Sequence, residues 1–211
     1  MSTLELGIIG NGTVAALIDP NASVQWMCLP RLDGEPIFNS LLGGNGHFSI
    51  ALSDQVSATQ TYIKNTAVLE TVLTDADGSS IKITDFAPRF FERGRIFRPA
   101  SMVRRVTPLK GMPRITVNLR AETGYGERAI YRRRGVSHIR FPSEDFDFRV
   151  TTDAPVSYIM DEREFVLDQG GGDFPPCLGV CPGRKRAGVG EGRDTHPLQA
   201  ACGGLLQGSL A

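Results

Sequence analysis

From residue 46 onward the chain is a succession of short runs rich in β-branched and aromatic residues, cut by turn residues before any helical period can develop. The first four are GHFSIAL (46–52), ATQTYIK (58–64), VLETVLT (68–74) and SIKITDF (80–86). Further runs follow at 101–107, 114–121, 129–134, 137–141, 146–151, 156–160 and 164–167. Runs of this length with partial period-two alternation read as strands. Asp77-Gly78 between two of them is a strong hairpin signal. Leu69, Thr71 and Leu73 would share one face of their strand and Val68, Glu70, Val72 and Thr74 the other. Apolar residues on both faces suit a strand inside two packed layers. The longest helical pattern is a short one at 36–42. Many strands without alternating helices predict an all-β fold, a large two-sheet antiparallel β-sandwich. In the long connection 87–99 the phenylalanines Phe90, Phe91 and Phe97 are expected to pin the loop to the sandwich, leaving its arginines solvated.

Two boundaries follow from composition. Residues 1–168 carry the strand pattern and form the sandwich domain. Residues 169–211 are expected to be an irregular, disordered Gly-rich tail: residues 170–211 hold eleven of the 24 glycines and one aromatic, Phe174. So few apolar side chains cannot offset the entropy of ordering such a segment. A shifted reading frame explains that composition, and a natural Gly-rich linker is the alternative. No apolar run reaches the ~18 residues that cross a bilayer, and the N-terminus lacks a basic, then apolar leader. A cytoplasmic protein is expected, without a membrane partner. Charge is uneven: thirteen bases against three acids in 89–134, flanked by acidic stretches on both sides. Neighbouring strands of opposite sign account for this better than a nucleic-acid surface does.

Residues 7–42 hold the most specific text. Gly10-Asn11-Gly12-Thr13-Val14-Ala15 fits a dinucleotide fingerprint, which has meaning only where the glycines open a helix. Here the chain meets Asp19-Pro20-Asn21 within two turns, and Pro20 excludes helix for the residue before it. Two short strands joined at Asp19–Ala22 make a hairpin, and the fingerprint reading fails. Trp26, the sole tryptophan, then precedes a Pro30-Arg31-x-Asp33 corner.

These pieces, in order and spacing, resemble the opening of bacterial glucoamylase- and trehalase-like enzymes, glycoside hydrolases of family fifteen. The segments concerned are Ile9–Gly12, Val14–Asp19, Gln25-Trp26-x-Cys28-Leu29-Pro30-Arg31-x-Asp33, Pro36-x-Phe38 and Leu41–Gly43. Similarity continues through Tyr62-x-x-Asn65-Thr66-x-Val68–Thr71, Thr84-Asp85-Phe86-x-Pro88-Arg89 and Arg104–Val106, and fades near Asp168. The resemblance implies a supersandwich N-terminal domain followed, in family members, by an (α/α)6 catalytic barrel that carries both catalytic glutamates. The implied role is the non-catalytic domain of an inverting α-glucoside hydrolase, with an α-glucoside and the barrel as partners. No cofactor or metal is implied. A free-standing sugar-binding or protein-interaction module is the alternative.

Candidate chemistry is sparse. Glycoside cleavage needs two carboxylates set across the scissile bond, and Asp33, Glu35, Asp85, Glu144, Asp145 and Asp147 match no catalytic motif. No catalytic residue is assigned, and the chain by itself is expected to hydrolyse no glycoside and to self-associate through its uncovered barrel-facing surface. Cys177-x-x-x-Cys181 with His196 and Cys202 is too incomplete for a zinc site. Cys28 reads as a buried small hydrophobe. His47 and His138 lack triad partners. Trp26, Arg31 and Asp33 remain as the substrate- or barrel-facing candidates, since an indole beside a guanidinium and a carboxylate can hold a sugar ring or a partner surface.

Overall fold

The computed structural model describes residues 5–92, 94–143, 146–167 and 177–182. They form two large antiparallel sheets packed face to face. The first runs in the order Gly7–Gly10, Ala15–Ile18, Val24–Cys28, His47–Leu52, Arg114–Arg120, Phe165–Val166, with Pro36–Phe38 added beside Val24–Cys28. The second runs Arg133–Arg134, His138–Phe141, Phe148–Thr152, Cys177–Pro182, Met102–Lys110, Ser80–Phe86, Leu69–Asp75, Gln55–Tyr62. The expected sandwich is present, and its alternation fixes register. Leu69, Thr71 and Leu73 are buried opposite Asp85, Ile83 and Ile81. Phe48, Ile50 and Leu52 face inward opposite Leu119, Val117 and Ile115. A one-residue slip in either ladder would turn these apolar sets to water.

Several local expectations are corrected. The stretch 156–160 is a helix, Val156–Met160, because Pro155 starts it and Val156 and Ile159, three apart, both bury. The stretch 36–42 is a strand, Pro36–Phe38, and then a single 3-10 turn, Ser40–Leu42. The run 129–134 breaks in two, Arg128–Ala129 pairing with Glu122–Thr123 and Arg133–Arg134 joining the second sheet.

The largest correction lies in the expected tail. Residues 177–182 are a strand in the middle of the second sheet, between Met102–Lys110 and Phe148–Thr152. Leu178 and Val180 point into the core, and Gly179 lies between Val103 and Thr151 on the opposite side. Only two inward side chains signal this strand, too few for local sequence to announce it. Its order comes from two flanking ladders far away in sequence. The rest of the expected tail, with His196 and Cys202, lies outside the described residues.

Candidate functional site

Three of the strands carrying the opening motif align Ile8, Leu17 and Trp26 in one cross-strand row. Their neighbours Ile9, Ala16 and Met27 are buried in the core, so the row faces outward. Ile8 is exposed and Trp26 half-buried. Burial pushes the Cys28 thiol up, a hydrogen bond with Trp26 opposes that shift, and the nearby Asp33 charge adds to it. The indole, the thiol and the corner therefore occupy one neighbourhood.

At the corner, Arg31 and Asp33 close on each other. Arg31 Nε and Nη2 donate to the two Asp33 oxygens at 2.8 and 2.9 Å. Their side chains remain 74% and 69% exposed. The Arg31 hydrogen bonds hold the Asp33 carboxyl below its usual range. An exposed fork of this kind adds little to fold stability. It does present a fixed, planar donor–acceptor group to whatever approaches. Next along the chain, Glu35 accepts hydrogen bonds from Gly124 N at 3.1 Å and Thr123 Oγ1 at 2.9 Å, which hold its carboxyl low. Glu122 accepts from Asn45 N at 3.0 Å, and Asn39 Oδ1 from Gly46 N at 3.0 Å. Loops near residues 33, 42 and 124 are thus tied into one rim. Beside it lies an open groove of about 420 Å³, lined by Thr123, Arg128, Tyr131, Arg133 and Ser143 among others.

The false dinucleotide fingerprint has a different occupation. Gly12 takes φ +86°, the left-handed region that glycine tolerates. The turn it makes brings the buried Asn11 side chain against the connection 87–99. Asn11 Nδ2 donates to the carbonyls of Pro88 and Pro99, both at 2.8 Å. Its Oδ1 accepts from Thr13 N and Val14 N, and Thr13 Oγ1 donates to Arg98 O at 3.1 Å. One amide therefore clasps both ends of a twelve-residue excursion. Between them the chain forms a hairpin, Phe90–Glu92 against Arg95–Phe97, turning at Gly94 with φ +74°. All six strand residues are exposed, with Phe91 at 72%. This reverses the expectation that the phenylalanines pin the segment to the sandwich. Two proline carbonyls do that instead, and the rings point away.

The remaining carboxylate candidates have structural partners where they are described. Asp85 and Arg104 are paired across neighbouring strands and neither side chain is exposed. Arg104 Nε and Nη2 donate to the Asp85 oxygens at 2.8 and 3.1 Å, the two-pronged contact an ionised carboxylate offers. Burial pushes the Asp85 carboxyl up against the pull of that guanidinium. Arg104 also donates to Phe48 O at 2.6 Å and Ala22 O at 2.5 Å, and its guanidinium carbon sits 4.8 Å from the Phe48 ring centre. The pair thus links the second sheet to the first. Sequence reading missed it, although an arginine and an aspartate at inward positions of alternating strands were the available signal. Asp147 accepts from Ser143 N at 3.0 Å. Glu144 and Asp145 lie outside the described residues. Cys177 and Cys181 stand on one strand four residues apart, about 13 Å at the usual rise. That is too far for both to hold one tetrahedral zinc. Among the described residues no group of three or more metal-ligating side chains converges.

A family model described as "Trehalase-like, N-terminal" matches residues 3–140, which include the row, the corner, the clasp, the hairpin and the buried ion pair. Trehalase 1 of Sulfolobus acidocaldarius is 39% identical over 85 residues, 39% of this chain and 15% of that protein. A trehalase of Thermoplasma volcanium is 33% identical over 125 residues, 57% of this chain and 20% of its own length. A trehalase of Mycolicibacterium smegmatis is 32% identical over 69 residues, 32% of this chain and 10% of its own length. The chain spans a fifth or less of each of these relatives. No solved structure matches it.

Proposed function

The chain belongs to the family of trehalase-like N-terminal domains, and on that premise we propose that it acts as the non-catalytic β-sandwich of an inverting α-glucoside hydrolase, trehalose being the substrate of the whole enzyme. The observation that carries this reading is the family match itself, over a segment that contains the row, the corner, the clasp and the hairpin. Supporting it, three of the carboxylates weighed for catalysis are engaged in structure: Asp33 by Arg31, Asp85 by Arg104, Glu35 by Thr123 and Gly124. Inverting hydrolysis instead requires an acid and a base about 6.5–9.5 Å apart with a water between them.

On this reading the catalytic pair resides on a helical partner domain, and Trp26, Arg31 and Asp33 lie on the face turned toward it. The protein works in the cytoplasm. Among the described residues no helix is long and apolar enough to cross a membrane. The deciding assay is glucose release from trehalose and maltose by the purified 211-residue chain. None is expected. Release that disappears on substituting an acid within residues 5–167 would move the chemistry into the sandwich and overturn the proposal.

A further inference from the structure

Three neighbouring strands of the second sheet set like charges opposite one another. Arg133 lies across from Arg140, and Arg140 across from Arg149. The alternating residues Ile139 and Val150 are buried in the core, so the three arginines share the outer face. Directly opposed side chains have Cβ atoms about 4.5–5.5 Å apart, and like charges so placed destabilise a sheet. Among the described residues no carboxylate forms an ion pair with any of the three. Asp147, two positions before Arg149, accepts from the Ser143 amide at 3.0 Å instead. On its other side Arg149 lies opposite Cys181, so no acid closes the row there. Of the adjoining arginines, Arg132 is paired with Glu162 at 3.5 Å, and Arg134, opposite Ile139, alternates to the other face.

The surroundings hold this row in place without completing it. Arg140 Nε donates to His138 Nε2 at 3.2 Å. The His138 ring is seated against Gly135, where an added Cβ would come within 2.5 Å of it. Gly135 N in turn donates to His138 O at 2.8 Å. Thr151 stands opposite His138 on the same outer face, two residues along from Arg149. Arg149 Nε and Thr151 Oγ1 are both sheltered from water, and neither has a hydrogen-bond partner. Sheltered polar groups are normally paired, and an unpaired one carries its full desolvation cost. Arg133 and Arg140 are exposed and Arg149 and Thr151 half-buried, so the row is reached from solvent. Arg133 also lines the open groove of about 420 Å³.

We propose that Arg133, Arg140 and Arg149, with Thr151 beside them, form a binding site for a phosphate-type oxyanion. Three guanidinium groups and a hydroxyl offer donors to several oxygens at once, which suits a multiply charged tetrahedral ion better than a single carboxylate. The extent of the site points the same way. Its charge lies in one row about 10 Å across three strands, and the adjoining row on that face, His138, Thr151 and Gly179, adds no arginine or lysine. A nucleic-acid strand needs cations repeated along its length. Occupation by a small ion offsets the repulsion between the arginines and supplies the acceptor that Arg149 Nε and Thr151 Oγ1 lack. The inference does not depend on the role assigned to the sandwich above.

The test is calorimetric titration of the full 211-residue chain with sodium phosphate, alongside urea denaturation in phosphate and in sodium chloride of matched ionic strength. Phosphate is expected to bind and to raise the denaturation midpoint above its value in chloride, since a ligand of the folded state alone stabilises that state. Arg140→Leu with Arg149→Leu should weaken phosphate binding at least about tenfold through the lost charge-assisted hydrogen bonds. Its midpoint in chloride should not fall, because a like-charge pair has been removed. Thr151→Val should weaken binding by a smaller factor. Arg89→Leu with Arg95→Leu, an equal loss of charge elsewhere, should leave phosphate binding unchanged. Glucose 6-phosphate separates a free ion from an ester: binding of either probe that is lost in the Arg140, Arg149 variant supports the site, and the tighter one identifies the source. Equal effects of phosphate and chloride on the unsubstituted chain, with no binding of the ester, overturn the inference without recourse to any variant. Phosphate binding that survives the double substitution overturns it too. So does binding of a single-stranded oligonucleotide that is tighter than either probe and lost in the same variant, which would make the row a polyanion surface.

Discussion

Arginine and phenylalanine are used twice in this sandwich, with opposite results. In the interlayer, Arg104 lies over Phe48, hydrogen-bonded to Asp85, to the Phe48 carbonyl of the facing sheet and to the Ala22 carbonyl in a turn between two of its strands, and neither charge reaches water. On the hairpin, Arg89, Arg95 and Arg98 surround Phe90, Phe91 and Phe97, and all six are exposed. The first set is shut away from water, and the second is not. A guanidinium taken out of water must have its donors met by fixed acceptors. Arg104 finds them because its strand is central and the facing layer presents carbonyls at the right depth. The hairpin arginines sit where no second layer exists: Arg95 lies opposite Glu92 on the ribbon, and all three guanidinium groups stay in water.

The largest test of that contrast is to remove the buried cation. Arg104→Ala leaves Asp85 charged and unpaired in the core, which typically costs about 3–5 kcal/mol. It also strips Phe48 O and Ala22 O of a donor. The expected outcome is a chain that unfolds at much lower urea, measured by tryptophan fluorescence. Replacing both partners, Arg104→Leu with Asp85→Leu, should recover most of the loss, because no uncompensated charge remains. A single substitution no worse than Arg95→Ala would abolish the distinction between the two sites.

Asn11 joins the two regimes, buried itself yet holding the exposed hairpin. Asn11→Ala removes two donated and two accepted hydrogen bonds at once. Leaving the Pro88 carbonyl buried and unsatisfied should cost about 1–3 kcal/mol. The sharper readout is local. Hydrogen exchange at residues 89–98 should speed up while the amides of Leu69–Asp75 and Ser80–Phe86 keep their protection relative to the lowered global stability. Uniform loss of protection would make Asn11 an ordinary core residue rather than a clasp.

How much of this was legible beforehand follows the same division. The sandwich was readable because its pattern is local: VLETVLT and SIKITDF around Asp77-Gly78 state their faces and their turn without help from elsewhere. The clasp and the ion pair were present in the motifs but not readable as contacts. Asn11 and Pro88 are 77 residues apart, and Asp85 and Arg104 are 19. The strand at Cys177–Pro182 was illegible because its stability lies in its neighbours' edges rather than in its own two inward side chains. The hairpin was misread for a related reason: a composition of phenylalanine and arginine does not say whether a second layer is there to receive the rings. The corner Arg31–Asp33 was legible as a pair, whereas its placement near Cys28 and Trp26 required the fold.

The smallest expected effect is the most telling one for the hairpin. Phe91→Ser removes a large aromatic side chain, and at a core position such a truncation costs about 3–5 kcal/mol. At Phe91 the ring is 72% exposed and its cross-strand neighbour, Ile96, is open to water as well. Little apolar area returns to solvent on substitution, so the change in unfolding free energy should stay within about 0.5 kcal/mol, as for surface positions generally. Phe48→Ser provides the matched control, since Phe48 is fully buried beneath Arg104. Urea denaturation of both variants side by side measures the contrast. Loss of several kcal/mol at Phe91 would mean that its ring is packed against the sandwich after all, and the hairpin would then have no apolar surface left to present.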